Sequence, residues 1–310
     1  MKLSLSTNWL NRRIADGAAI AEKALELGFD ELELGFNTTT EQIPGFKAML
    51  DRIPVGSVHA FAPLPISAPY GSPELYELAS RDKGARATAR VWLAKTIRFA
   101  AGMGADTVVL HAGRVGFKPL FGALDTPILA DALEKAKRDV KAEPFAKLNA
   151  KALGLRARNG RRRIDILKRE IEELSPLLDE TKVTLALENL PYLEGFPNES
   201  ETETLLAALP GARVKAWFDT GHHRVRESYG WLAKPFDPAK ADFSLYAGMH
   251  LNDVVDFFDD HSEPGGGKVD FAALVPMMRA VRHVVFEPKD HVSEERLRDG
   301  IALIRKLISG

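Results

Sequence analysis

The chain has 310 residues, 45% of them hydrophobic, and a formal net charge of −1. That supplies material for a sizeable core and points to no particular charged partner. With no cysteine, disulfides and thiolate metal sites are excluded. Any bound metal must be held by imidazole and carboxylate, donors that suit zinc, manganese, iron, cobalt or magnesium.

Met1–Gly17 has no apolar stretch long enough for a signal peptide, and no later run approaches membrane-spanning length. A cytoplasmic protein without a membrane partner is therefore expected. In chain order, a strand at Lys2–Thr7 leads into a helical pattern over Ile14–Leu27, and Glu31–Gly35 into Thr39–Asp51. The strand Gly56–Ala60 is followed by the helix Arg81–Ala101, and Thr107–Ala112 is the fourth strand, with Asp165–Leu178 as its helix. Thr184–Asn189 precedes the helix Glu201–Leu209, and Val214–Asp219 and Tyr246–Asp253 are the sixth and seventh strands. The helix Phe271–Met278, the strand His283–Pro288 and a last helix Ser293–Ile308 complete the chain. Gly28, Gly104 and Gly211 stand where helix C-terminal glycines belong. This alternation predicts an α/β protein, a single (β/α)8 TIM barrel spanning residues 1–310, with catalytic residues on the loops after the strands. An open doubly wound sheet would place ligands only at a switch point.

One segment breaks the rhythm. Between Arg114 and Arg163, after the fourth strand, 13 Lys and Arg stand against 5 Asp and Glu, so this helical insertion carries +8 and the rest of the chain −9. Lys135, Lys137, Arg138, Lys141, Lys147, Lys151, Arg156, Arg158 and Arg161 to Arg163 supply most of the charge. It reads either as a solvated excursion or as an anion-attracting flap over the active-site mouth. Phosphate on a sugar or a nucleic acid backbone would both fit such a flap, but few aromatics (Phe117, Phe121, Phe145) interleave with it, which argues against a base-stacking platform.

Short apolar runs repeatedly end in a group able to bind a metal. They are Val108-Val109-Leu110-His111, Leu185-Ala186-Leu187-Glu188, Ala216-Trp217-Phe218-Asp219, Ala247-Gly248-Met249-His250 and Val284-Val285-Phe286-Glu287, with Val58-His59 a shorter version. Such runs are buried parallel strands, and donors at matching strand ends converge. A metal centre is the reading that follows. Asp219 could instead cap the next turn, but His222 three residues on favours a shared site. Asn189, Asn252 and Asp253 are expected to orient ligands, and Lys289 to meet either an anionic substrate or a surface carboxylate. Glu33 ends the second strand and is expected inside the barrel, off the metal. His223, His283 and His291 are expected to be structural or exposed.

The motifs Leu-Glu-Asn-Leu at Glu188, Phe-Asp-Thr-Gly-His at Asp219, His-Leu-Asn-Asp at His250, Asp-Asp-His at Asp259 to His261 with Gly265-Gly266-Gly267 after it, and Phe-Glu-Pro-Lys at Glu287 resemble those of the xylose-isomerase-like TIM-barrel superfamily. That superfamily includes sugar and sugar-phosphate isomerases and epimerases and the AP endonucleases of the endonuclease IV type. The resemblance to the isomerases implies one divalent cation on Glu188, Asp219, His250 and Glu287, with Glu188 and Glu287 also serving as acid and base. The resemblance to the endonucleases implies three zinc ions and adds His59, His111, His222, Asp259 and His261. Where such epimerases carry an arginine soon after the seventh-strand histidine, this chain has Asn252-Asp253-Val254-Val255-Asp256-Phe257-Phe258.

Isomerising a ketose removes a proton beside a carbonyl; a divalent ion stabilises the enediolate and two carboxylates move the proton. The same donors could hold several ions for phosphodiester hydrolysis. The expectation is a metal-dependent sugar or sugar-phosphate isomerase or epimerase. An AP endonuclease, or a hydrolase, dehydratase or non-catalytic relative on the same scaffold, remains the alternative. A homo-oligomer is compatible with either.

Overall fold

Strands buried on both faces need continuous apolar sequence, and the runs that supply it form the wall of a barrel. In the computed structural model, which describes residues 1–68, 70–116, 125–232, 234, 236–258 and 261–310, these strands are β1 (Ser4–Ser6), β2 (Glu31–Leu34), β3 (Val55–His59) and β4 (Thr107–Leu110). They continue as β5 (Thr184–Glu188), β6 (Val214–Asp219), β7 (Tyr246–Leu251) and β8 (His283–Phe286). Every neighbouring pair is parallel, and β8 closes on β1 through Ser4 opposite Val285. A (β/α)8 barrel is the outcome, as the alternation of elements predicts.

Helices α1 (Gly17–Glu26), α2 (Ile43–Ala48) and α3 (Lys83–Gly102) cover the first strands. Asp16 caps α1 by accepting from Ala18 N, and Asp82 caps α3 by accepting from Ala85 N. Gly28 and Gly104 follow these helices with φ of 83° and 78°, backbone that glycine adopts without a Cβ penalty. The main core lies between helices and barrel, while Val109, Ala186, Trp217, Ala247 and Val285 form a separate apolar plug.

After β4 the chain makes a short antiparallel ribbon, Gly113–Arg114 against Gly195–Phe196, then α4 (Thr126–Lys135) and α5 (Glu143–Thr181). The basic insertion is thus helical, but its second half is no excursion: α5 runs unbroken for 39 residues, beginning well before the expected Asp165. Leu129 and Leu133 of α4 and Phe145 and Ala152 of α5 pack with Val225, Tyr229 and Trp231 into a second core. Part of the insertion's charge is buried in the protein or paired at its surface. Arg156 is buried and donates to Glu201 at 2.7 Å and to Leu193 O at 3.1 Å, Arg163 is buried on Ala79 O, Lys135 and Lys147 pair along their own helices with Asp131 and Glu143, and Arg138, just past α4, pairs with Glu134.

Helix α6 (Glu199–Ala207) opens with a capping box between Asn198 and Glu201. Helix α7 (Thr220–Ser228) has no counterpart in the sequence reading, because Thr-Gly-His-His-Arg-Val-Arg-Glu-Ser carries no apolar stripe. Helices α8 (Val275–Ala280) and α9 (Glu294–Ser309) end the chain. Among the described residues no helix is long and apolar enough to cross a membrane.

Candidate metal centre

The donors converge because parallel strands of one barrel end on one face. His59 is the last residue of β3, Glu188 of β5 and Asp219 of β6; His250 lies one residue from the end of β7; His111 and Glu287 follow β4 and β8 directly. Three groups result, each with its ligand atoms within 4.8 Å of one another: Glu188, Asp219, His250 and Glu287; His59, His111 and Glu188; and Asp219, His222 and His261. All are buried. Asp259 lies outside the described residues.

Glu188 links the first two groups with separate oxygens. Its Oε2 is 3.2 Å from His59 Nε2 and 3.1 Å from His111 Nε2, while Oε1 is 3.1 Å from His250 Nδ1. Glu287 Oε2 also lies 3.1 Å from His250 Nδ1, and Asp219 Oδ2 lies 3.7 Å away. Asp219 does cap α7, since Oδ1 accepts the His222 N–H at 2.7 Å; the cap and the cluster use the same side chain.

Around this cluster the backbone and amides fix orientations. Asn189 accepts from Asp219 N at 2.7 Å and donates to Asp219 O at 3.1 Å, and its own carbonyl accepts from His222 Nδ1 at 2.8 Å. Asn252 Nδ2 donates to Asp219 Oδ2 at 2.6 Å. Asp253 works elsewhere: its carboxylate accepts from the N–H groups of Val254, Gly265, Gly267 and Val269, which folds the glycine-rich loop that positions His261. His261 Nδ1 donates to Glu287 O at 2.8 Å.

Two residues gain roles that sequence reasoning missed. Glu33 is off the metal-binding groups, but its oxygens sit 3.0 and 3.2 Å from His250 Nε2, and Ser57 Oγ donates to it at 2.8 Å. This carboxylate fixes the His250 tautomer with Nδ1 free to ligate. Asn8 Nδ2 donates to Glu287 Oε1 at 3.4 Å. The buried Glu-Leu alternation of β2 was the only available hint of Glu33, and Asn8 left none. His283 sits at the start of β8, with Nε2 2.7 Å from Asp106 Oδ1, and has no part in the metal-binding groups.

The electrostatics are those of a cluster of coupled carboxylates and imidazoles. Burial alone would raise the Glu188 carboxyl, but His250 and His111 outweigh it and hold it well below its ordinary range. Burial lowers His111, yet Glu188 and Glu74 bring its pKa up to about 9. His250 is likewise driven up against burial, by Glu287, Glu33 and Glu188. Three buried carboxylates, Glu188, Asp219 and Glu287, face one another with only imidazoles between them and no Lys or Arg pairing among the described residues. Buried like charges are costly without a cation, so this donor set fits a divalent metal.

The centre floors a pocket of about 390 Å³ lined by His59, His111, His222, His261 and Glu287, with Asn8, Arg12, Tyr192 and Lys289 on its walls. Lys289 also donates its backbone N–H to His261 O at 3.0 Å. Such a volume suits a small molecule.

Residues 21–307 match the profile of the xylose isomerase-like TIM barrel. Among solved structures, a D-tagatose 3-epimerase-like protein is similar at 17% identity and a TM-score of 0.62, covering 100% of this chain and 97% of the other. A 3-keto-D-glucoside 4-epimerase from E. coli in its apo form is similar at 15% identity and a TM-score of 0.67, covering 99% of both chains. An IolI protein with a bound zinc atom shares 15% identity and a TM-score of 0.61, covering 100% of this chain and 98% of that one. At such identities the likeness is one of fold. No curated protein matches the sequence.

Proposed function

The chain belongs to the xylose isomerase-like TIM-barrel family, and on that footing we propose that it is a divalent-metal-dependent sugar or sugar-phosphate isomerase or epimerase. The supporting observation is the buried quartet Glu188, Asp219, His250 and Glu287, with Glu287 exposed to a pocket of sugar size. The similarity to a D-tagatose 3-epimerase-like protein and a 3-keto-D-glucoside 4-epimerase lends weight to it.

These four side chains would hold the ion, which when bound polarises a carbonyl and adjoining hydroxyl. The protein's own residues do the rest. Glu287 reaches the pocket and is held by Asn8, so it is placed to take a proton beside the carbonyl. Glu188, whose Oε1 lies 3.1 Å from His250 Nδ1 while His59 and His111 hold its Oε2, is the second proton carrier. Lys289 and Arg12 on the wall contact the distal end of the substrate.

The division of the two Glu188 oxygens favours a second reading. One carboxylate serving two neighbouring groups of donors, with a third group at Asp219, His222 and His261, is the arrangement expected of a multinuclear phosphoester hydrolase. Metal analysis of the purified protein separates the two. One equivalent per chain, with solvent deuterium entering a ketose at the carbon beside its carbonyl, supports the isomerase; about three zinc with phosphodiester cleavage sinks it.

A further inference from the structure

The opposite end of the barrel carries a second concave site. A cavity of about 500 Å³ is lined by residues at or just before the first positions of β4 to β8, among them Asp106, Lys182, Arg213, Lys215, Tyr246 and Arg282. It therefore opens on the N-terminal face, away from the metal centre. The plug of Val109, Ala186, Trp217, Ala247 and Val285 separates the two, with the Trp217 ring 5.0 Å from His250 on one side and 6.0 Å from His283 on the other.

The lining holds four cations and one carboxylate, and that carboxylate is occupied. Asp106 accepts from Thr107 Oγ1 at 2.9 Å, lies 2.7 Å from His283 Nε2 and is 3.4 Å from Arg282. Arg282 is shared with Glu31, and Arg213 lies 3.5 Å from Asp179. Asp242, which feels the charge of Lys215, is held by Ser244. Lys182 and Lys215 are exposed and make no ion pair with a described residue. Two ammonium groups without an ion pair to a described residue, beside two guanidiniums in one concavity, make a site suited to an anion.

The backbone adds an independent observation. Lys182 caps the C-terminus of α5 with φ 61° and ψ 14°, a left-handed conformation that glycine fills without strain. Glycine stands just past the ends of α1 and α3. Here a lysine adopts that conformation, as Lys137 and Arg138 do elsewhere, and this one stands at the cavity.

We propose that this lower mouth binds a phosphorylated small molecule, its phosphates held by Lys182 and Lys215 with Arg213 and Arg282 behind them. The site is independent of the reaction assigned to the metal centre. Pyrophosphate and ADP, titrated separately into the purified full-length protein by calorimetry at physiological ionic strength, test it. The expected result is saturable binding that Lys182→Gly combined with Lys215→Gln weakens at least roughly tenfold, with a melting temperature unchanged or raised because glycine relieves the left-handed cap. Tighter binding of ADP than of pyrophosphate assigns the aromatic wall at Phe243 and Tyr246 to a ring; equal binding assigns the site to phosphate alone. Equal affinity in the wild-type and substituted proteins overturns the proposal, as does no saturable binding of either probe. A variant that binds less only because it melts lower also overturns it, since the lysines would then serve the fold.

Discussion

His250 is held from both sides, and the consequences differ by side. Its Nδ1 faces Glu188 and Glu287, whereas its Nε2 can only donate to Glu33, a fully buried carboxylate. Glu33→Gln keeps the size of the side chain but removes the charge that orients the ring and raises its basicity. Metal affinity, measured by competition with a chromophoric chelator, should fall about 10- to 100-fold with the far-ultraviolet spectrum unchanged; an affinity equal to wild type would refute this role. Glu188, Asp219, His250 and Glu287 were legible as ligands because each closes an apolar run. Glu33 was legible only as an interior residue, because nothing in the sequence pairs a second-strand acid with the far ring nitrogen of a seventh-strand histidine. Asp253 was read as a partner of the ligands for its place beside Asn252, but its oxygens are used up by four backbone N–H groups of one loop.

Between elements, buried polar pairs do the fastening. Arg156 of α5 donates to Glu201 of α6 and to the carbonyls of Leu193 and Gly195, with 2% of its surface exposed. Gly160 lies one turn on, and a Cβ there would meet Glu201 Oε1 at 2.1 Å, so any larger residue would have to displace the pair. Arg156→Leu leaves Glu201 buried without its cation and should cost about 3–5 kcal/mol, read as a lowered denaturant midpoint; a loss below about 1 kcal/mol, the worth of an exposed pair, would show that water reaches the site. A second fastening joins α6 to α7. Burial pushes the Glu199 carboxyl up, but Arg226 and His223 outweigh it and hold its pKa at about 2. A carboxyl depressed in the folded state stabilises fully above its ordinary pKa, and the contribution fades as pH falls from about 4.5 towards 2. Glu199→Gln should therefore flatten the acid limb of the stability curve in that window. An unchanged curve would place the ion pair in solvent. Sequence patterning missed α7 itself, since its buried positions are Thr220, Gly221, His222, Val225 and Arg226, and polar burial leaves no apolar period. It also placed the start of α5 late, because the charges of the insertion masked an apolar stripe through Phe145, Ala152 and Leu167.

At the scale of the whole molecule, the +8 of residues 114–163 against −9 elsewhere invites comparison with proteins that grip a polyanion. The structure divides that charge. Arg114 donates to Glu74 at 2.5 Å and lies over the Tyr192 ring, Arg156 and Arg163 are buried, and Lys135, Arg138 and Lys147 are paired. Lys137, Lys141, Lys151, Arg158, Arg161 and Arg162 are left without an ion pair to a described residue. Each phosphate that a bound cation neutralises steepens the fall of affinity with salt, so a DNA grip by these six side chains would show as a steep slope, and the small-molecule reading predicts a shallow one. Duplex DNA with an abasic site should bind only in the non-specific range, on the order of 10⁻⁴ to 10⁻⁶ M at physiological salt, and should survive incubation with catalytic amounts of zinc-loaded protein. Neutralising Lys137, Lys141, Lys151, Arg158, Arg161 and Arg162 together should leave turnover of a small sugar substrate intact, because none of them lines the pocket above the metal centre. Strand cleavage at the abasic site that is lost in this variant would reverse the assignment, making the insertion a DNA grip and the three donor groups a hydrolytic centre.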